Sequence, residues 1–155
     1  MILLVKLRNP SKISVPRFSG FATTPKHSAI MSRIRSTRTK AEVSFRKELW
    51  AKGARYRINY KALPGKPDIV FIKNKVVVFI DGEFWHGHNW PTRKAKIKSN
   101  REYWIPKIER NMQRDIENNE ALKSLGYVVF RFWEHETKEN LANCINKVLT
   151  AISRK

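Results

Sequence analysis

Two β-branched runs, Ile69 to Ile72 and Val76 to Ile80, stand three residues apart, and what flanks them restricts the fold more than any other stretch of the chain. Both are rich in Val, Ile and Phe, and Lys73-Asn74-Lys75 between them reads as the turn of a β-hairpin. Pro67-Asp68 leads into the first run. The second continues directly into Asp81-Gly82-Glu83-Phe84-Trp85-His86-Gly87-His88. A hairpin carries the start of its first strand and the end of its second to the same end of the sheet, so Asp68 and Asp81 are expected close together. Two carboxylates, two histidines and two large aromatics within eight residues read as a reaction centre at a strand end.

The rest of the chain supplies an α/β frame for this hairpin. From Thr39 the apolar spacing is helical, with Ala41, Phe45 and Leu49 on one face, Val43 and Trp50 nearby, and Gly53 as a stop. Tyr56 to Asn59 reads as a short strand and Pro64-Gly65 as a turn. Arg93 to Arg101 reads as a basic loop. A long helix is expected over 103–125, with Ile105, Ile108, Met112 and Ile116 as its buried stripe and Gly126 at its end. Tyr127 to Phe132 is a third strong strand, and Leu141, Cys144, Ile145, Val148 and Ile152 mark a final helix. The order predicts an α/β fold with a mixed central sheet flanked by helices. Its 155 residues suit one domain. Residues 1–40 hold nine Lys and Arg and no acid, broken by Pro10, Pro16 and Pro25. Residues 1–23 are therefore read as a flexible basic arm and 24–155 as the domain.

Charge names the class of partner. Lys and Arg number 32 against 13 Asp and Glu, a formal net charge of +19. That excess points to a polyanion, most simply nucleic acid, but selects no activity. The single cysteine, Cys144, excludes a disulfide framework and a cysteine-built zinc site, and fits a reducing cytoplasm. No apolar run approaches the ~20 residues that span a bilayer, and the first residues lack the pattern of a signal peptide.

Within that setting the reactive residues acquire roles. Asp68 and Asp81 are placed to face one divalent cation, and hard oxygen ligands beside phosphate suit Mg²⁺. A lone Asp at a strand end is usually a turn or cap residue. Two of them flanking one hairpin beside histidines, in a chain of this charge, favour chemistry. Glu42, beside the apolar face of its helix, could add a third carboxylate. A histidine of this segment, with an ordinary pKa of ~6.5, can move a proton for an attacking water or a leaving oxygen. His88 reads better as a structural histidine. Phe84 and Trp85 suit a wedge into a base step or a place in the core equally well; Trp50 and Trp133 read as core.

PGKPDIVF, VVFIDGEFWHGH, EYWIPKIERNMQRD and GYVVFRFWEHE, in that order, resemble the very-short-patch-repair (Vsr) DNA mismatch endonucleases, as does TPKHSAIMSRIRSTRTKAEV before them. The resemblance covers roughly residues 24–152 and implies a restriction-endonuclease-like fold of the PD-(D/E)xK superfamily. It implies a Mg²⁺-dependent enzyme that nicks one strand of double-stranded DNA at a T:G mismatch, acts as a monomer in the cytoplasm or on the nucleoid, and works beside other mismatch-repair proteins. Position by position it implies that Asp68 binds metal with the backbone carbonyl of Ile80, and that Asp81, where the family has a second histidine, joins them. It implies that His86 transfers the proton, that Glu42 stands at the active site and that Asp115 supports the histidine. Phe84, Trp85 and Trp104 match aromatics that enter the stack beside the mismatch. The basic segments 26–40, with Arg33, Arg35 and Arg38, and 93–101 are expected on phosphates. The family's structural zinc site falls at Glu83, His88, Trp90 and His135, which hold no thiolate, so the zinc is expected to be absent and replaced by hydrogen bonds or a Glu83–His pair. Two rivals remain at this point: a restriction-type nuclease of the same fold cutting matched DNA, and a non-catalytic nucleic-acid-binding protein.

Overall fold

The computed structural model of the chain describes residues 24–33 and 38–153. The expected basic arm, 1–23, and Arg35 lie outside them. Helix α1 spans Pro25–Arg33 and α2 Lys40–Ala51; strands β1 (Arg57–Ile58), β2 (Ile69–Phe71) and β3 (Val76–Asp81) follow. Then come α3 (Trp90–Lys96), α4 (Arg101–Ser124), β4 (Val128–Trp133), α5 (Glu134–Glu139) and α6 (Leu141–Ser153). The four strands form one mixed sheet in the order β1-β2-β3-β4. β1, β2 and β3 pair antiparallel, whereas β4 runs parallel to β3 after the crossover through α3 and α4. This is the α/β architecture expected, with helices flanking a mixed sheet.

Strand alternation sorts side chains between the two faces. Val76, Val78 and Ile80 of β3 pack with Phe45 and Leu49 of α2 and with Ile145 and Val148 of α6. Val77 and Phe79 point the other way, to Leu122 of α4. By the same alternation Asp81 falls on the α4 face. In β4, Phe130 and Phe132 join the α2–α6 side and Val129 the α4 side, which turns Arg131 toward α4 as well. The parallel register sets Phe79 opposite Arg131 and Asp81 opposite Trp133. Two charged groups thus meet under α4 at the end of an otherwise apolar sheet.

Four expectations are corrected. Ile116 is exposed, and Leu122 is fully buried instead. The inward stripe of α4 runs Ile108, Asp115, Asn119, Leu122, steps of seven, four and three, so two of its positions are polar because they serve the site. Trp50 is exposed rather than core: the Arg55 guanidinium lies 3.7 Å from its ring centroid and Tyr56 meets its edge. Trp133 is only half-buried, edge-on to His88. The basic loop over 93–101 is for half its length the helix α3.

Candidate active site

The segment after β3 folds into tight turns. His86 N–H donates to the Gly82 carbonyl at 3.2 Å and His88 N–H to Glu83 at 3.0 Å. Gly87 adopts a φ of +70°, and a Cβ there would collide with the Met112 sulfur of α4. Only glycine meets both demands, so this residue lets the turn seat against α4. Asn111 secures it by donating to the Trp85 carbonyl at 3.1 Å. The outcome is a cleft of about 880 Å³ whose wall includes Glu42, Asp68, Ile80, Asp81, His86 and Asp115. All five side chains expected to act in catalysis therefore line one space.

Asp68 stands just before β2, and its Oδ2 accepts the Ile80 N–H at 2.8 Å across the hairpin. Burial, and then the charges of Glu42 and Asp81, push its carboxyl up to about 7 against the opposing pull of that N–H and of His86. A carboxylate held this unfavourably is one that a cation would relieve. Glu42 is buried in the first turn of α2. Thr39 caps the helix by accepting the Glu42 N–H at 3.2 Å, and Glu42 Oε2 accepts the Arg38 N–H at 2.8 Å. One of its oxygens is thus occupied in holding the helix start. Arg33 and Arg38 are exposed on the approach to α2.

His86 faces Asp115. Its Nδ1–H donates to Asp115 Oδ2 at 2.6 Å, and Asp81 Oδ1 lies 3.6 Å from the same nitrogen. Burial by itself would disfavour imidazolium, but the bond to Asp115 and the charges of Asp81 and Asp115 outweigh it and raise the His86 pKa. Asp115 moves down: burial opposes this, and the His86 bond and the Arg131 charge prevail.

Arg131 is the member of the site that reading the chain missed. Its Nε and Nη2 donate to both oxygens of Asp81, at 2.6 and 3.0 Å. Nη2 also reaches Asp115 Oδ1 at 2.9 Å, and Nη1 reaches Asn119 Oδ1 at 3.1 Å. The guanidinium lies 4.4 Å from the Phe79 ring centroid. One half-buried cation therefore ties the end of β3 to the middle of α4 and orders the carboxylate that orders His86. The expectation that Asp81 shares a cation with Asp68 meets a competitor here, since Arg131 engages both Asp81 oxygens. A signal was present: Arg131 is a lone charge within Val-Val-Phe-Arg-Phe-Trp, and a buried charge requires partners.

Phe84 and Trp85 line the cleft, and with Trp104 beside them they meet edge to face, centroids 5.1 to 5.7 Å apart. Phe84 is exposed and the two tryptophans half-buried. Lys107 Nζ lies 5.6 Å from the Trp85 and 5.3 Å from the Trp104 ring centroid, so a cation backs the cluster. At the positions matching a zinc site, Glu83 accepts the His135 N–H at 2.9 Å and pairs with its Nδ1 at 3.0 Å. His88 packs against His135, and Trp90 turns away to donate to Glu109 at 3.2 Å. Among the described residues no three His, Cys, Asp or Glu side chains are grouped to hold a metal ion.

Comparison with known proteins matches residues 20–92 to the model of a family described as DNA mismatch endonuclease Vsr. The type II nicking enzyme V.NmeDIP of Neisseria meningitidis serogroup C is 50% identical over 125 residues, 81% of this chain and 84% of that enzyme. The chain belongs to the Vsr endonuclease family. The type II nicking enzyme V.HpaIIP of Haemophilus parainfluenzae is 51% identical over 102 residues, 66% of this chain and 72% of that enzyme. The DNA mismatch endonuclease Vsr of Escherichia coli K12 is 33% identical over 104 residues, 67% of this chain and 66% of its own length. This Vsr-family chain is accordingly a DNA endonuclease with the restriction-endonuclease-like fold, and its substrate is DNA. Among the described residues no helix is long and apolar enough to cross a membrane.

Proposed function

We propose that the chain is a Mg²⁺-dependent endonuclease that nicks one strand at a T:G mismatch, as in repair of deaminated 5-methylcytosine. The observation that carries this reading is one cleft lined by a half-buried carboxylate that a cation would relieve and by a His86–Asp115 dyad, with Phe84 and Trp85 on its wall and Trp104 packed against both. The family's name, and that of the Escherichia coli relative, support mismatched DNA as the substrate.

The donor set fits a hard dication. Asp68 and the Ile80 carbonyl would hold it, with the negative charge of Asp81 beside them. With so few side-chain ligands, the remaining positions fall to water and substrate phosphate, as Mg²⁺ prefers. When bound, the ion supplies Lewis-acid polarisation of the scissile phosphate. His86 moves the proton: with its Nδ1–H fixed on Asp115, Nε2 is left to take a proton from an attacking water or return one to the leaving oxygen. We assign Asp81 to positioning as well, because Arg131 holds both its oxygens. Glu42 orients water with the oxygen not held by Arg38. Phe84, Trp85 and Trp104 open the base step, while Arg33, Arg35, Arg38 and the basic segment 93–101 neutralise phosphates. Such an enzyme works in the cytoplasm on chromosomal DNA, in sequence with other repair proteins.

The test is nicking of a T:G duplex and its matched counterpart by wild type and Asp68→Ala, with and without Mg²⁺. The expected result is Mg²⁺-dependent nicking of the mismatched duplex alone, abolished in the variant. Equal cutting of matched DNA would replace the mismatch reading with that of a restriction-type nuclease, and undiminished nicking by Asp68→Ala would remove the site assignment.

A further inference from the structure

A second hollow, of about 450 Å³, opens beside the catalytic cleft, and Phe84 lines both. Trp90 and Trp104 give it two further aromatic walls, and Arg93, Lys96 and Lys98 give it three cations. No acidic side chain lines it among the described residues. We propose that this hollow receives one nucleotide displaced from the DNA stack when the aromatic cluster enters the base step. The proposal rests on the endonuclease reading only for the choice of DNA as the strand that is opened.

Three features support it. The first is chemical. Aromatic faces accept any base by stacking while basic side chains hold its phosphate, the combination that binds unpaired nucleic acid. The size also suits one such unit, since pockets for small ligands run ~300–1,000 Å³. The second is continuity. Because Phe84 lines both the cleft and the hollow, a strand in the catalytic cleft that parts at Phe84 has the hollow next to the opening for its neighbouring nucleotide. Unstacking a base costs a few kcal/mol, least at a mismatch, and a prepared receptor offsets that cost. The third is preorganisation. Glu109 of α4 accepts from Trp90 Nε1 at 3.2 Å and from Lys94 Nζ at 2.7 Å, so α3 is tied to α4. Arg101 donates to the carbonyls of Lys94 at 3.1 Å and Ile97 at 2.6 Å, closing the connection between the helices. The walls are thus set by protein bonds alone.

Trp90 distinguishes this hollow from the wedge, because it lines the hollow and lies outside the cluster of Phe84, Trp85 and Trp104. The experiment places 5-iodouracil at successive positions across both strands around a T:G mismatch. The full chain is bound in EDTA, which prevents cutting, then irradiated, and the cross-linked residue is identified by mass spectrometry. The expected result is cross-linking to Trp90 from one position in one strand, and not from the same position in matched DNA. Trp90→Leu is expected to weaken binding of the mismatched duplex about 5–150-fold, the value of one stacked base, and matched DNA much less. Because that change also loses the Glu109 bond, the exposed Lys98→Glu is the companion variant and is expected to act in the same direction. Absence of any cross-link to Trp90, in a preparation that nicks T:G duplex when Mg²⁺ is added, overturns the hollow and leaves the endonuclease standing. Equal cross-linking from matched DNA overturns it too. A cross-link confined to the mismatch, in a protein that does not nick, upholds the hollow and removes the proposed mechanism.

Discussion

Replacing Arg131 with methionine removes the guanidinium that hydrogen-bonds both Asp81 and Asp115 while keeping much of the side chain's length. The three side chains are 19%, 8% and 20% exposed, and the bonds lost are 2.6 and 3.0 Å to Asp81 and 2.9 Å to Asp115. Removing one partner of a buried pair costs about 3–5 kcal/mol, because the other charge stays buried without its counterion. Domains of this size hold about 5–15 kcal/mol in total. Arg131→Met is therefore expected to lose about 3–5 kcal/mol in urea denaturation at pH 7, a large part of the fold's reserve. The pH dependence follows from Asp115, whose folded pKa is depressed. Its stabilisation is present above the unfolded value of ~3.9 and is lost as pH falls through the folded one. The gap between variant and wild type should therefore be widest near neutrality and narrow below about pH 4. Adding Asp81→Asn to Arg131→Met removes one orphaned charge and is expected to recover about 1–2 kcal/mol, a coupling readable as a double-mutant cycle. A loss under about 1 kcal/mol, or strictly additive single effects, would show that Arg131 does not hold these carboxylates in solution.

Three further outcomes follow from the site. Asp68→Asn keeps an acceptor for the Ile80 N–H while removing a carboxyl raised to about 7; because a raised acid costs stability progressively as pH climbs from its unfolded value of ~3.9 and in full above its folded one, metal-free melting should rise by several degrees at about pH 8, less at about pH 5 and hardly below about pH 4, while nicking is lost. For the wild type at limiting Mg²⁺, the nicking rate should fall as pH drops below about 7 as Asp68 takes up its proton, and saturating Mg²⁺ should move that limb to lower pH; a limb indifferent to Mg²⁺ would detach Asp68 from the metal. His86→Ala should slow single-turnover nicking about 10²–10⁴-fold, with Asp115→Asn causing a smaller loss and adding little in the double variant, since Asp115 acts through His86.

What can be read from the chain, and what cannot, divides on a physical line. The hairpin, the α2 face and the long helix announce themselves because burial of β-branched and aliphatic residues leaves a period in the sequence. Asp68, Asp81, His86 and Glu42 can be gathered because each sits at or near a motif whose chemistry is unusual, and Asp115 through the family resemblance alone; all five line one cleft. Arg131 escapes notice for the opposite reason. It is one of 32 Lys and Arg, and its composition says phosphate contact while its place in the strand says burial. Ile116 misleads because the inward stripe of α4 spends two positions on Asp115 and Asn119, which breaks the apolar pattern that would have revealed the true face. Trp50 suits the core by residue type, yet an arginine laid over a tryptophan ring satisfies it at the surface.

The site's dependence on register follows from the same geometry. Asp81 and Arg131 reach α4 only because both lie at inward positions of adjacent parallel strands, with Phe79 facing Arg131 across the pair. A slip of one residue between β3 and β4 would send one of the two charges into the apolar face packed on α2 and α6, where no counterion waits. The Asp81–Arg131 pair therefore penalises the wrong register more than an apolar pair would, even if its net contribution to stability in the right one is small. His86 benefits directly. Its partner Asp115 is held by the same guanidinium, so the orientation of the proton-transfer group is coupled to the correct alignment of the sheet. An apolar replacement that restored stability at both positions would test this. A double variant combining Asp81→Leu with Arg131→Met, if it folds well but orients His86 poorly, should keep its melting temperature and lose nicking rate, whereas retention of both would mean that Asp115 holds the histidine unaided.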